Sequence, residues 1–340
     1  MSKLNVLVAG STGYIGIQLV NLLIKHENIN IRYLCGNTSV GKNISVYDDK
    51  LKNKKLPKIS KFNYKFLKDV DVLFTALPNG EAQKISKKLL SSNILIDLAP
   101  DFRLEKASDY LKWYKQKHQS PKNIKKSFYS LPELTGKKLK NYQIISCPGC
   151  YPTSILLALT PLIKKKLIRK KNIIIDSKSG YSGAGRSIHK KYKNKNLYES
   201  MSAYGVGFHR HNSEIGQFLN KLTKTNISFV FTPHLTPMFR GILSTIYVDL
   251  NKRTTIKNLY NEFVNFYKNS SFVKICNINT MLNTNDVINT NNCEISVCES
   301  KFKDKAIILS TVDNLIKGGA GQAVQNMNIL KGFKEYQGLK

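Results

Sequence analysis

A chain of 340 residues with 41% hydrophobic side chains is long enough for two ordinary domains, each with its own core. Its 54 lysines and arginines against 22 aspartates and glutamates leave a net charge of +32, spread along the chain rather than gathered in a tail, so nucleic-acid binding is a rival class that the motifs must decide. Six cysteines, at 35, 147, 150, 276, 293 and 298, are too few and too unevenly spaced for an extracellular disulfide framework. No apolar run reaches the roughly 18 residues of a membrane span, and the amino terminus lacks a signal-peptide pattern. A protein of the cytoplasm is expected.

Residues 4–10, LNVLVAG, form a short branched apolar run stopped by glycine, which predicts a strand of a parallel sheet covered on both faces. In the segment that follows, Ile17, Leu19, Val20, Leu22, Leu23 and Ile24 make a helical stripe, and INIRYLC at 29–35 predicts a second strand. Residues 36–66 are polar and lysine-rich. Strands return at 71–78 and 93–100, both ending in loops, the rhythm of an open parallel sheet with its loops gathered at one edge. After a lysine-rich surface segment at 112–126, a short strand at 142–146 runs through a tight turn into an apolar helix. Further strands are expected at 171–180, in ISFVFTPHL and in GILSTIYVDL, then a helix in TIKNLYNEFVNFYKN, a mixed strand region from 272 to 313 and a closing helix at 319–333. The asparagine-rich stretch 277–292 reads as a surface excursion without a legible function.

Between the first strand and the first helix stand Gly10, Ser11, Thr12, Gly13, Tyr14, Ile15 and Gly16. Glycine permits a tight turn and close phosphate approach, and the unpaired amides opening a helix attract a pyrophosphate. A GxxGxxG pattern alone is weak, but this strand–turn–helix setting points to a nicotinamide dinucleotide over an ordinary turn. An NAD site usually carries an acidic side chain at the end of the second strand. Here the chain continues Cys35-Gly36-Asn37-Thr38-Ser39-Val40-Gly41-Lys42. Ser39 offers a hydrogen bond and Lys42 a positive charge to a 2′-phosphate, so NADP(H) is the expected cofactor, with a plain polar loop as the alternative.

Cys147-Pro148-Gly149-Cys150 is the chemically densest segment. A turn at Pro148 and Gly149 should set Cys150 at the start of the apolar helix, where unpaired amides and the positive dipole end favour a thiolate able to attack an acyl carbon. Cys147, on the strand side, is expected to pack as a small hydrophobe. The alternatives are a buried structural cysteine, a thioredoxin-like redox pair, and a zinc site shared with Cys293 and Cys298, whose C-x4-C spacing is unhelpful; no metal is expected. Acid-base help is available in His209-Arg210-His211-Asn212-Ser213-Glu214, where His211 and Glu214 share a helical face and His209 lies beyond it. Capping of the following helix is the competing reading for both histidines.

Arg103 follows the strand at 93–100, where a guanidinium matches a carboxylate or phosphate. Lys178, Ser179 and Arg186 in SKSGYSGAGR, with His234 and Arg240 flanking the turn between two later strands, are further substrate-contact candidates, and Gly183 a cofactor contact. Each basic residue has a solvated surface charge as its alternative. Position after a strand is what singles these out.

AGSTGYIG, FTALPNG, IDLAPDFRL, SLPEL, CPGCYPT, KSGYSGAGR, HRHNSEI, FTPHLTPMFRGILSTIYV and VDNLIKGGAGQAVQNMN run in order through nearly the whole chain. In these motifs the sequence resembles the N-acetyl-gamma-glutamyl-phosphate reductase family. The resemblance implies an α/β protein: a Rossmann-type dinucleotide-binding domain over 1–149, completed by a C-terminal helix at about 319–340, and a glyceraldehyde-phosphate-dehydrogenase-like α+β substrate and dimerisation domain over 150–318. It implies a homodimer or homotetramer, with N-acetyl-L-glutamyl 5-phosphate and NADPH as ligands and neither nucleic acid nor membrane as partner. The implied activity, a step of arginine biosynthesis, is reduction of that acyl phosphate to N-acetyl-L-glutamate 5-semialdehyde with release of phosphate. The family nucleophile matches Cys150, its histidine falls in the HRH motif with His209 preferred and His211 retained, and Arg103 resembles the phosphate-holding residue of related semialdehyde dehydrogenases. The chain departs from the family pattern at Asn79, often histidine, at Ser154, usually glycine or alanine, and at Ser213, often proline. These departures bear on loop geometry and rate and leave Cys150 intact. Aspartate-semialdehyde dehydrogenase and N-acetyl-aminoadipyl-phosphate reductase are the enzyme alternatives. A nucleic-acid-binding module lacks a reader motif.

Overall fold

The computed structural model describes residues 3–186 and 199–340. Two compact units emerge, Met1–Pro148 with Gly319–Lys340, and Gly149–Gly318.

In the first unit, strands β1 (Leu4–Ala9), β2 (Ile29–Cys35), β3 (Ile59–Ser60), β4 (Val72–Thr75), β5 (Ile94–Asp97), β6 (Ser127–Tyr129) and β7 (Ile144–Ser146) form one sheet in the order β3-β2-β1-β4-β5-β7-β6. Every pairing is parallel. Val6, Leu7, Val8, Val72, Leu73 and Phe74 are wholly buried, which is why β1 and β4 read as continuous apolar runs rather than alternating ones. Strand order reverses beside β1, placing the glycine turn at the switch point where such sheets bind ligands. The short edge strands β3 and β6 fall in stretches whose periodicity is too brief to register. The carboxy-terminal helix, Gly321–Lys331, packs in this unit through buried amides: Ser130 Oγ donates to Asn326 Oδ1 at 2.6 Å, His26 Nε2 meets Asn328 Oδ1 at 2.9 Å, and Gln325 Nε2 donates to Glu133 Oε1 at 2.8 Å. Partnered in this way, polar side chains are tolerated on a buried helix.

The second unit holds a mixed sheet ordered β12-β13-β14-β11-β8-β10-β9, built from β8 (Ile173–Gly180), β9 (Ser202–Ala203), β10 (Phe229–Thr236), β11 (Ile242–Asp249), β12 (Val273–Ile275), β13 (Cys293–Glu299) and β14 (Lys305–Val312). The helix Cys150–Lys164 packs on one face, where Ser154 Oγ lies 3.0 Å from both Ser244 Oγ and Ser310 Oγ, and Ser177 Oγ 2.8 Å from Ser244 Oγ. Ser154, the departure from the family's small apolar residue, is thus the hub of a buried hydroxyl cluster. A second helix, Ile256–Tyr267, opens with a capping box at Thr255 and reaches the first through Tyr267, whose hydroxyl donates to the Leu157 carbonyl at 2.6 Å. The opposite sheet face is open: Ile174 (49%), Val230 (57%) and Tyr247 (42%) are exposed, while Ile173, Ile175 and Phe231 beside them are buried. That is the period of a strand with one covered side. The asparagine-rich excursion contributes buried Val287 and Asn291 to this unit.

Candidate active site

The turn after β1 is built for close approach. Gly10 has φ +83°, and a methyl group on it would stand 2.3 Å from the Ala76 carbonyl oxygen; one on Gly16 would stand 2.1 Å from the Gly10 oxygen. Ser11 is buried, its hydroxyl donating to the Cys35 carbonyl at 3.1 Å, which ties the turn to the end of β2. Gly13 caps the helix Tyr14–Leu23 without a side-chain bond, so the cap leaves amides for an anion. At the end of β2, Ser39 is buried with its hydroxyl against that of Tyr47, and Lys42 is exposed. Lys42 is therefore the more accessible of the two expected 2′-phosphate contacts.

Also in this unit, Arg103 follows the short turn Pro100–Phe102, largely buried, with Nη2 donating to the Leu98 carbonyl at 2.8 Å. Asp101 beside it accepts from the Gly80 amide at 2.7 Å and the Gln83 amide at 3.2 Å, so the Asn79 loop is held by Gly80, φ 91°, and Asp101 rather than by residue 79. Cys147 is buried, and burial pushes its thiol up to about 12, the behaviour of a packed, inert cysteine.

In the second unit, Cys150 is the first residue of the helix Cys150–Lys164, with Gly149 as its cap. Glu214, wholly buried, accepts the Gly149 amide on Oε2 at 2.9 Å and sets Oε1 3.6 Å from His211 Nε2. A methyl group on Gly149 would stand 2.3 Å from His211 Nε2, so the imidazole lies directly over the residue preceding Cys150. Only glycine admits it there. From the other side Gly318 closes in: its methyl would stand 2.7 Å from Cys150 Cβ.

His209, preferred on sequence, takes a different place. Its Nδ1 accepts from the His211 amide at 3.2 Å, and burial, with Arg210 adjacent, pushes it down to about 4. It takes the first amide of the helix His211–Thr223, whose cap residue is Arg210, as a neutral ring. Both imidazoles stack edge to face around Tyr151, at 5.9 and 5.8 Å between centroids. Burial raises the Tyr151 hydroxyl well above its ordinary value, and it donates to the His234 carbonyl at 3.2 Å. Ser213 donates to the Arg210 carbonyl at 2.6 Å, holding the helix start where the family often has proline.

Strand alternation divides the remaining candidates. Ser179 is buried on the covered face, its carbonyl accepting from Thr236 Oγ1 at 3.0 Å. Lys178 and His234, paired across β8 and β10, fall on the opposite, open face, where both meet Asp176 Oδ1, at 2.8 and 3.0 Å. The structure does not bring them to the Cys150 side, because each is one residue out of phase with the buried set. Gly183 and Arg186 are exposed at the end of the loop after β8. Arg240 is mostly buried: Nη2 lies 2.8 Å from Asp313 Oδ2 and Nη1 donates to Asn289 Oδ1 at 2.7 Å. Asn314 joins the two loops, accepting from the Gly241 amide at 2.8 Å and donating to Ser182 Oγ at 3.0 Å. Sequence reasoning missed Asp176, Asn289, Asp313, Asn314 and Gly318. For the last three a signal existed, VDNLIKGG at the end of a strand.

Residues 5–142 match the family described as semialdehyde dehydrogenase, NAD binding domain, and residues 150–314 the semialdehyde dehydrogenase dimerisation domain. Aspartate semialdehyde dehydrogenase II of Vibrio cholerae is similar in fold, with a TM-score of 0.72 and 16% identity over 98% of this chain and 99% of that one. The Candida albicans aspartate semialdehyde dehydrogenase, determined with NADP, gives 0.66 and 15% over 97% and 99%. Fold and family matches together define a semialdehyde dehydrogenase-type protein with a nucleotide-binding Rossmann domain. Identity narrows this further. N-acetyl-gamma-glutamyl-phosphate reductase of Brachyspira hyodysenteriae is 43% identical over 99% of this chain and 98% of its own, and those of Clostridium botulinum and Acinetobacter baumannii are each 41% identical over 98% of this chain and 96% and 97% of theirs. The chain belongs to the N-acetyl-gamma-glutamyl-phosphate reductase family.

Proposed function

We propose that this protein reduces N-acetyl-L-glutamyl 5-phosphate with NADPH, giving N-acetyl-L-glutamate 5-semialdehyde, NADP and phosphate in arginine biosynthesis. The observation that carries the reading is Cys150 at a helix start whose preceding residue, Gly149, is covered by His211 and held through its amide by Glu214. Cys150 Sγ attacks the acyl carbon; a C–S bond forms, the C–O bond to phosphate breaks and phosphate leaves, yielding a thioester. NADPH, when bound, supplies the hydride that reduces the thioester carbon. Expulsion of the Cys150 thiolate then frees the aldehyde. His211 is the acid-base group of this scheme: it lies over Gly149, whereas His209 at about 4 stays neutral and lacks a proton to give near neutral pH. Glu214 steadies the imidazolium as His211 gains a proton.

The residues of the first unit fit a dinucleotide. The backbone of Gly10, Ser11, Thr12, Gly13, Tyr14, Ile15 and Gly16 would hold its pyrophosphate, in a turn kept tight by Gly10 and Gly16, where methyl groups would collide with the Ala76 and Gly10 carbonyl oxygens. Lys42 and the missing acidic residue after β2 favour a 2′-phosphate, hence NADP(H). Arg103 and Arg240 are the candidate anion anchors for the substrate's phosphate and carboxylate. Homodimerisation through the open face of the second sheet is supported by exposed Ile174, Val230 and Tyr247 and by the dimerisation-domain match.

The deciding experiment incubates the protein with N-acetyl-glutamyl phosphate without NADPH, quenches it and locates the acyl adduct by peptide mass spectrometry. The adduct is expected on Cys150, absent in Cys150→Ser and retained in Cys147→Ser. Label on Cys147, or activity in Cys150→Ser, refutes the assignment. N-acetyl-aminoadipyl phosphate and aspartyl phosphate run in parallel rank the acyl chains.

A further inference from the structure

The asparagine-rich excursion between β12 and β13 carries no role in the scheme above, yet it ends on a residue that touches the scheme. Arg240 Nη1 donates to Asn289 Oδ1 at 2.7 Å, Arg240 Nη2 lies 2.8 Å from Asp313 Oδ2, and the Asn289 amide donates to that same Asp313 oxygen at 2.7 Å. The three contacts close a triangle. Asn289 holds φ 63°, a left-handed conformation that asparagine tolerates better than most side chains. Asp313 is wholly buried, and its other oxygen accepts from the Leu315 amide at 2.9 Å. Its backbone carbonyl accepts the Gly318 amide, also at 2.9 Å, and Gly318 is the glycine pressed against Cys150 Cβ. One residue, Asp313, therefore registers both the guanidinium and the wall of the nucleophile.

Two further observations bear on Arg240. A methyl group on Gly180 would stand 2.6 Å from the Arg240 amide nitrogen, so the backbone is confined as well as the head group. The Arg240 Nε is buried and has no hydrogen-bond partner among the described residues, leaving a donor of the fork unspent.

We propose that Asn289 is a positioning residue: by fixing Nη1 beside Asp313, it aims the Arg240 guanidinium at the anionic end of an acyl phosphate lying at Cys150. The proposal rests on the reading of Arg240 as an anion anchor given above. An arginine held at one point still turns about that contact and must be ordered when ligand arrives; a second fixed point removes that cost beforehand. The second point is a neutral amide. A carboxylate there would give the guanidinium two negative partners and leave the cluster net negative toward an anion.

The test is Asn289→Gly, which keeps the left-handed backbone and the amide bond to Asp313 and deletes only the acceptor for Arg240. Asn285→Gly, an exposed position in the same excursion, is the control. Two readouts are taken: kcat and KM for N-acetyl-glutamyl phosphate, and the ratio of Cys150 alkylation rates by iodoacetate and iodoacetamide, with the site verified by peptide mass spectrometry. Because Asn289 is exposed, its bond is worth less than a buried one, and KM is expected to rise about three- to tenfold in Asn289→Gly with kcat within about twofold. The iodoacetate preference should fall about threefold, since only the anionic reagent depends on Arg240. The control should change neither readout. Unmoved KM and alkylation ratio in Asn289→Gly overturn the proposal, as does a lower kcat and melting temperature with KM unmoved, which marks a purely structural part. The alkylation ratio uses no substrate, so it decides the positioning role even if the protein prefers another acyl phosphate.

Discussion

Replacing Glu214 separates its two duties, because one needs only an oxygen and the other needs a charge. Oε2 accepts the Gly149 amide at 2.9 Å, a bond that the amide oxygen of glutamine can keep. Oε1 stands 3.6 Å from His211 Nε2 with the carboxylate fully buried. At an effective dielectric of about 20, a unit charge pair at that distance is worth about 4 to 5 kcal/mol, an upper bound on what the carboxylate supplies to an imidazolium. Spending about two-thirds of it in the transition state corresponds to a loss of roughly a hundredfold in kcat. Glu214→Gln is thus expected to lose about a hundredfold in kcat, with KM and melting temperature close to those of the parent. Glu214→Ala should lose as much activity and also strand the Gly149 amide, costing about 1–3 kcal/mol of stability. Steady-state assays following NADPH absorbance, with denaturant unfolding of both variants, check this. A Glu214→Gln protein within twofold of the parent in kcat would refute the electrostatic role, and one as unstable as Glu214→Ala would refute the division of duties.

NADPH should be used more efficiently than NADH, and Lys42→Ala should raise the KM for NADPH about tenfold with little change in kcat; equal efficiency with the two cofactors removes the 2′-phosphate argument. Val230→Glu, which sets a charge on the open face of the second sheet, should halve the mass found by sedimentation equilibrium, and an unchanged mass refutes dimerisation there. Ser154→Ala should cost only about 1 kcal/mol, because Ser244 keeps Ser177 and Ser310 keeps the Ser154 carbonyl as partners; a melting temperature lower by more than about 10 °C contradicts that network. Burial lowers the His26 pKa, so between that depressed value and about 6.5 the unfolded chain binds more protons, and stability falls as pH falls through the window. His26→Gln should flatten the slope of unfolding free energy against pH below about 6.5; an identical slope refutes the linkage.

The features written locally in the chain were legible without a structure. A branched apolar run, three glycines and a helical stripe specify the β1 turn, since each acts through its own backbone or a neighbour within a turn or two. The same holds for Cys150 at a helix start and for His211 and Glu214 on one face. Tertiary structure decided whatever depends on which neighbour arrives from afar. Alternation along β8 and β10 says that Lys178 and Ser179 point oppositely, but only the packing of the Cys150–Lys164 helix on one face says which side is the chemical one. Tyr47 takes the Ser39 hydroxyl, Gly149 lies against the His211 ring, and Asn289 meets Arg240 across 49 residues of sequence. Such pairings follow from chain reversal and close packing, which short-range spacing does not encode.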